Sequence, residues 1–247
     1  MFHNVGYALY RFSDEELKPI WDEVNAIIQD PSNSHKMNYE LAGNIKYEYE
    51  LKETFDYIQN LVAPKIWQYN NIFNYPNSLE VLTEPKPLRL DRPWVNVMGK
   101  HEFNPIHNHS GVMSFVIWMR VPYTLEEEHK ANPHVPPHTN LSGQFALHYV
   151  DTLGHIKTEA IPVDKSYTNV MCLFPASMHH SVFPFYSTDE YRISVAGNFV
   201  FDLNQKDEGG SKYDTDAPWV EHEPSPQALS SDVNGQKLFA QAPKRAT

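Results

Sequence analysis

The chain has 247 residues, 41% hydrophobic and 13% aromatic, enough for one sizeable core, and all-β barrels of this length fold as single units. Its 20 basic and 31 acidic residues give a formal net charge of −11 with no Lys/Arg cluster, which argues against nucleic acid as a partner. No window approaches 18 consecutive apolar residues, Met1-Phe2-His3-Asn4 carries no secretory signature, and Cys172 is the only cysteine. The expectation is a cytoplasmic protein in a reducing compartment, with no membrane contact and no intrachain disulfide.

Ser13-Asp14-Glu15-Glu16 is a capping box, and Leu17, Ile20, Trp21, Val24, Ile27 and Ile28 follow at helical spacing, predicting an amphipathic helix over 14–29. A second helix is predicted over 51–72, with Leu51, Phe55, Ile58, Leu61, Val62, Ile66 and Trp67 on its buried face and Pro64 kinking or interrupting it. After Pro76-Asn77-Ser78 the period changes to two. Leu79/Val81/Thr83, Leu88/Leu90 and Trp94-Val95-Asn96-Val97-Met98 alternate, and 112–121 reads as a buried strand.

Residues 123–142 are polar and contain Pro133, Pro136 and Pro137; they read as a long loop placed to act as a mobile flap over a barrel mouth. Strands follow at 144–150 and 156–161, around a turn at Asp151–Gly154, and then at 168–174, 179–184 and 191–201. Two helices followed by seven or eight strands indicate an α+β fold, helical over 1–75, with a sandwich or barrel over 79–201. From 203 to 247 periodicity disappears, and an extended, partly ordered tail is expected.

The chemistry concentrates in three places. In Pro105-Ile106-His107-Asn108-His109-Ser110-Gly111 two histidines at i, i+2 fall on one strand face, so both imidazoles can reach one metal. A solvated strand end is the commoner explanation of a solitary His-x-His. Here, however, the motif sits at a strand-to-turn junction, and a further histidine arrives 73 residues after His107, in Phe174-Pro175-Ala176-Ser177-Met178-His179-His180-Ser181-Val182. Alternation allows only one of His179 and His180 to face inward. Arg192, Ser194, Ala196 and Asn198 then form one strand face, small and polar, opposite Ile193, Val195 and Phe199. Arginine offers a bidentate fork to a carboxylate, and the serine hydroxyl can supplement it. His101, His129, His134, His138 and His148 share no ligand spacing and read as solvated, whereas Trp94, Trp118 and Phe145 read as core.

With these residues in view, the sequence resembles the Fe(II)/2-oxoglutarate-dependent oxygenases, and in particular those found in phages and marine bacteria. The similarity is carried by Trp94-Val95-Asn96, His107-Asn108-His109, Ser114, Val121-Pro122, Phe174-Pro175, His180-Ser181-Val182, Arg192-Ile193-Ser194 and Asn198-Phe199, with Leu41–Ile45 and Glu48-Tyr49 upstream. It implies a double-stranded β-helix (a jelly-roll, cupin-like barrel) and a metal at His107, His109 and His180. It also implies 2-oxoglutarate held by Arg192 and Ser194, with Asn96 and Ser114 in the cosubstrate site. The implied reaction is oxidative decarboxylation of 2-oxoglutarate coupled to hydroxylation or a related C–H oxidation, on a small-molecule or protein-side-chain substrate.

One departure stands out. His109 occupies the place where the superfamily's facial triad has a carboxylate. Either three imidazoles bind the iron and leave it more electrophilic, or a coordination position is open; Glu102 and Asp151 are further acids that spacing does not select. Two rivals follow. A cupin-type metalloenzyme without 2-oxoglutarate lacks its expected glutamate at Val112–Ser114 and gives Arg192 no role. A non-catalytic barrel binding an anion or a partner needs no carboxylate ligand.

Overall fold

The computed structural model describes residues 6–84 and 86–204; beyond Asn204, the tail expected over 203–247 lies outside the described residues. Strand β1 (Ala8–Arg11) leads into helix α1 (Asp14–Gln29), whose capping box forms as expected: the Glu16 amide donates to Ser13 Oγ and the Ser13 amide to Glu16 Oε2. Strand β2 (Tyr47–Glu50) precedes α2 (Phe55–Phe73), which runs through Pro64 without interruption because Val62 and Ile66 on either side are packed into the core. The alternation at 79–83 does not become a strand. A one-turn helix α3 (Tyr75–Ser78) is followed by turns that leave Val81 exposed.

Strands β3 (Leu88–Leu90), β4 (Trp94–Met98), β5 (Asn104–His107), β6 (Met113–Arg120), β7 (Phe145–Val150), β8 (Ile156–Ile161), β9 (Val170–Pro175), β10 (His179–Val182) and β11 (Arg192–Phe201) complete the set. They form two antiparallel sheets. The larger runs β1-β9-β6-β11-β4-β2, with β3 also paired to β11; the smaller runs β5-β10-β7-β8. The expected double-stranded β-helix is present, and it includes two strands, β1 and β2, in a region expected to be helical.

Period-two alternation divides the larger sheet into two faces. Val95 and Val97, Phe115 and Ile117, Met171 and Leu173, and Val195 and Phe199 point outward and pack with Leu17, Ile20, Val24, Ile58, Val62 and Ile66 of α1 and α2. Each such fully buried aliphatic contributes about 1.5–3 kcal/mol relative to exposure, so the helices clamp the sheet that carries Arg192 and Ser194. The opposite face presents Trp94, Met98, Val116, Trp118, Cys172, Phe174 and Ala196 to Phe145, Leu147 and Ile161 of the smaller sheet. Trp118 is fully buried there, with its ring edge-on to Phe145 and Tyr167.

Segment 123–142 departs from the flap expectation. Thr124 and Glu127 make a second capping box that starts α4 (Leu125–Ala131). From this helix Glu128, fully buried, accepts hydrogen bonds from the Tyr186 and Ser187 amides and the Ser187 hydroxyl. The segment is thereby pinned to the chain leading into β11. The proline content pointed to a loop, but the cap at its start won locally.

Candidate metal centre

His107 ends β5 and His180 lies on β10, and the two are partners in the antiparallel ladder. His109 follows in the turn, its amide donating to the Ala176 carbonyl at 2.9 Å. Gly111 lets that turn close: its φ is +116°, and an added Cβ would stand 2.9 Å from the Phe199 carbonyl oxygen. Ligand nitrogens of His107, His109 and His180 all lie within 4.8 Å of one another. His180 is buried; its neighbour His179 is exposed and opposite His148, so alternation selects His180.

The ring nitrogens have defined roles. His107 Nδ1 lies 2.8 Å from the Pro105 carbonyl and His180 Nδ1 3.1 Å from the Met178 carbonyl. A carbonyl only accepts, so both Nδ1 atoms carry the proton and both Nε2 atoms present a lone pair, the arrangement that outer-shell partners impose on metal-binding histidines. His109 Nε2 and His180 Nε2 are 3.2 Å apart. Two imidazoles bound at right angles to one metal, with bonds of about 2.0–2.1 Å, have nitrogens roughly 3 Å apart. Burial, reinforced by His107, lowers His109 to about 4; burial, reinforced by His107 and His109, lowers His180 to about 2. Burial also lowers His107. The three imidazoles are therefore neutral at pH 7 and present lone pairs, a donor set that fits a divalent transition metal. No carboxylate joins it among the described residues. Asp151 instead accepts from the Leu153 and His155 amides, and Glu102 from the Gly99 and Lys46 amides.

Arg192 and Ser194 line the same cavity as the three histidines. Arg192 is buried, and its Nη1 donates to Tyr123 Oη (3.1 Å) and to the Gly143 carbonyl (3.0 Å); Tyr123 Oη itself donates to Gly143 O at 2.6 Å. Among the described residues no carboxylate pairs with this buried guanidinium. Its remaining N–H groups suit an anionic ligand, since a buried cation without a counter-charge is costly. Asn96 also lines the cavity, whereas Ser114, on the same sheet face, donates to Asn198 Oδ1 at 2.6 Å and is not part of the cavity wall. Trp94, Phe145 and Phe174 form apolar walls around the histidines, with the Trp94 and His109 ring centres 5.7 Å apart. Tyr123 and Gly143, which hold Arg192, and Glu48 and Asn104, which also line the cavity, were not singled out as site residues by the sequence reading.

The fold and the three converging histidines are those of a metal-dependent jelly-roll enzyme. Residues 92–198, which span the barrel core, match the family model described as "Putative 2OG-Fe(II) oxygenase". No curated protein matches the chain. Among solved structures, HygX from Streptomyces hygroscopicus with nickel and 2-oxoglutarate bound is 10% identical, with a TM-score of 0.51 over 81% of this chain and 84% of that one. A Pseudomonas putida prolyl-4-hydroxylase is 13% identical, with a TM-score of 0.48 over 80% of this chain and 94% of that one. A Trichoplax adhaerens prolyl hydroxylase is 12% identical, with a TM-score of 0.49 over 81% and 88%.

Proposed function

We propose that His107, His109 and His180 hold the iron of a dioxygenase, and that Arg192 and Ser194 bind the distal carboxylate of 2-oxoglutarate. The observation that carries this is the placement, in one cavity, of three converging neutral imidazoles and a buried arginine that has no carboxylate partner among the described residues. The HygX structure of the same fold, with nickel and 2-oxoglutarate bound, supports reading the two features as one site.

The redox chemistry supplied by bound iron is oxidative decarboxylation of 2-oxoglutarate to succinate and CO₂, coupled to hydroxylation or a related oxidation of a substrate C–H bond. The chain does the rest. Pro105 and Met178 carbonyls fix the His107 and His180 tautomers so that the unprotonated Nε2 atoms are free to face the metal. Tyr123 and Gly143 hold the Arg192 fork in one orientation, which lowers the entropy lost when a carboxylate docks. Trp94, Phe145 and Phe174 limit water at the centre. The substrate is a small molecule or a side chain of a peptide or protein.

The test is succinate formation from 2-oxoglutarate by protein supplied with iron(II), ascorbate and air, with anaerobic calorimetry of 2-oxoglutarate binding to the Mn(II)-loaded protein alongside. Succinate release that disappears in His180→Ala is the expected result. No succinate and no 2-oxoglutarate binding by the wild type would overturn the proposal.

A further inference from the structure

The cavity wall carries a carboxylate, Glu48, that the metal and cosubstrate assignments do not use, beside Asn96, which the family resemblance places with the cosubstrate. Glu48 on β2 and Asn96 on β4 are partners in the ladder, so their side chains project from the same face into the barrel. Both are at least nine-tenths buried, and both line the cavity. Glu48 Oε1, Asn96 Oδ1 and Asn104 Oδ1 are buried without a hydrogen-bond partner. On Glu48 only Oε2 is engaged, by Asn38 Nδ2 at 3.2 Å, and among the described residues no lysine, arginine or histidine pairs with this carboxylate. An added Cβ on Gly43 would stand 2.2 Å from Asn104 Oδ1 and 3.1 Å from Glu48 Oε1. The glycine therefore keeps clear the spot that these two oxygens flank.

Orphaned buried acceptors are rare because each forgoes the hydrogen bonds it had in water, and in a cleft the missing partner comes from a bound water, an ion or a ligand. Here all three orphans are oxygens, and one belongs to a carboxylate without a counter-ion. The complementary group has several N–H donors and a positive charge. An ammonium (three donors) and a guanidinium (five) both meet that description, and a hydroxyl or neutral amide leaves the charge unpaired.

We infer that Glu48, with Asn96 and Asn104, forms the subsite for the primary substrate, and that this substrate carries a cationic nitrogen which docks on the wall beside the metal centre. The inference rests on the oxygenase reading above for the identity of the reaction, but not for the existence of the cation site. It also accounts for Gly43, which no role in the backbone requires, since its φ is not positive.

The experiment is anaerobic calorimetry on folded, full-length protein, with and without Mn(II) and 2-oxoglutarate. The probes are L-lysine and L-arginine, the same residues at the centre of N-acetylated, C-amidated tripeptides, and, as neutral counterparts, the same capped tripeptides with norleucine or citrulline at the centre. The expected result is binding of at least one cationic probe to the wild type, with its neutral counterpart at least about tenfold weaker. Glu48→Gln and Gly43→Ala should each weaken the cation by about tenfold or more while 2-oxoglutarate affinity stays within about twofold, which also shows that the variants are folded. Preference for the free amino acid or for the tripeptide identifies the source of the cation. Cationic and neutral probes binding alike, unchanged cation affinity in Glu48→Gln, or no cationic probe binding to wild type that does bind 2-oxoglutarate would each overturn the inference. Cation binding by a wild type that fails to bind 2-oxoglutarate would instead uphold the cation site and overturn the oxygenase reading.

Discussion

His107 and His180 occupy directly opposed positions in the β5–β10 ladder, and their ring centres are 4.2 Å apart. Opposed residues on one face of an antiparallel pair have Cβ atoms about 4.5–5.5 Å apart, so strand register alone brings two of the three imidazoles together. A slip of one residue would bring His179 inward in place of His180. The next turn of β10 is fixed against β7 as well, through four consecutive partners from His179↔His148 to Val182↔Phe145.

From this follows a contrast between neighbours. His180→Ala should lower Mn(II) affinity by on the order of 100-fold or more, because it removes a ligand rather than an outer-shell partner. His179→Ala, at an exposed position, should leave it within about twofold. Calorimetry or manganese electron paramagnetic resonance on the two variants reads the difference; equal losses would show that the register, and with it the ligand assignment, is wrong.

His107, His109, His180 and Arg192 were legible as one cluster in the sequence because period-two spacing assigns faces, and the structure places all four on one cavity. The strand β2 was not. Tyr47-Glu48-Tyr49-Glu50 reads as apolar on one face and solvated on the other, yet the tyrosines meet the helices while Glu48 is buried in the barrel. Patterning assigns charge to water, and a functional site is where that rule fails. Helix α4 was missed for another reason: its anchor, Glu128, sits in an acidic, proline-flanked stretch, and its partners are the backbone amides of Tyr186 and Ser187, 58 and 59 residues away, which no local pattern encodes.

Arg192→Ala should weaken 2-oxoglutarate binding by roughly 30- to 4,000-fold, the equivalent of about 2–5 kcal/mol for a buried charge pair that loses one partner. Metal affinity should change little. Arg192→Lys should recover only part of the loss, because lysine keeps the charge without the fork, and Ser194→Ala should cost on the order of 1 kcal/mol. Titration of 2-oxoglutarate into each Mn(II)-loaded variant without oxygen checks the ordering, and wild-type affinity in Arg192→Ala would remove the arginine from the site.

Glu128→Ala should destabilise the fold without touching the metal ligands. It strands the Tyr186 and Ser187 amides, which Glu128 accepts from in the interior, at about 2–4 kcal/mol for buried groups bonded to a charged acceptor. For a chain of this size that corresponds to a fall in Tm of roughly 4–16 °C. Differential scanning calorimetry measures it, and hydrogen exchange should show the amides of 125–131 and 186–187 losing protection together. An unchanged Tm would mean that segment 123–142 is held by something other than this clamp.

The last expectation concerns pH and Glu48. Burial, with a smaller contribution from the Glu102 charge, pushes the Glu48 carboxyl from its ordinary 4.5 up to about 7. A folded-state value above the unfolded one means that the native protein binds more protons between the two. The stability contributed by neutral Glu48 is therefore fully present below about 4.5 and is lost as pH rises through about 7. Glu48→Gln keeps the shape and cannot ionise. Its Tm relative to wild type should consequently rise as pH goes from about 5 to about 8, with both proteins free of ligand and metal. The same titration works in the opposite sense on the cation site: the affinity of wild type for a cationic probe should increase over that interval, because the carboxylate that pairs with it forms only as the proton leaves. A Tm difference between the two proteins that is flat across this range would show that Glu48 does not change protonation state between about pH 5 and about pH 8.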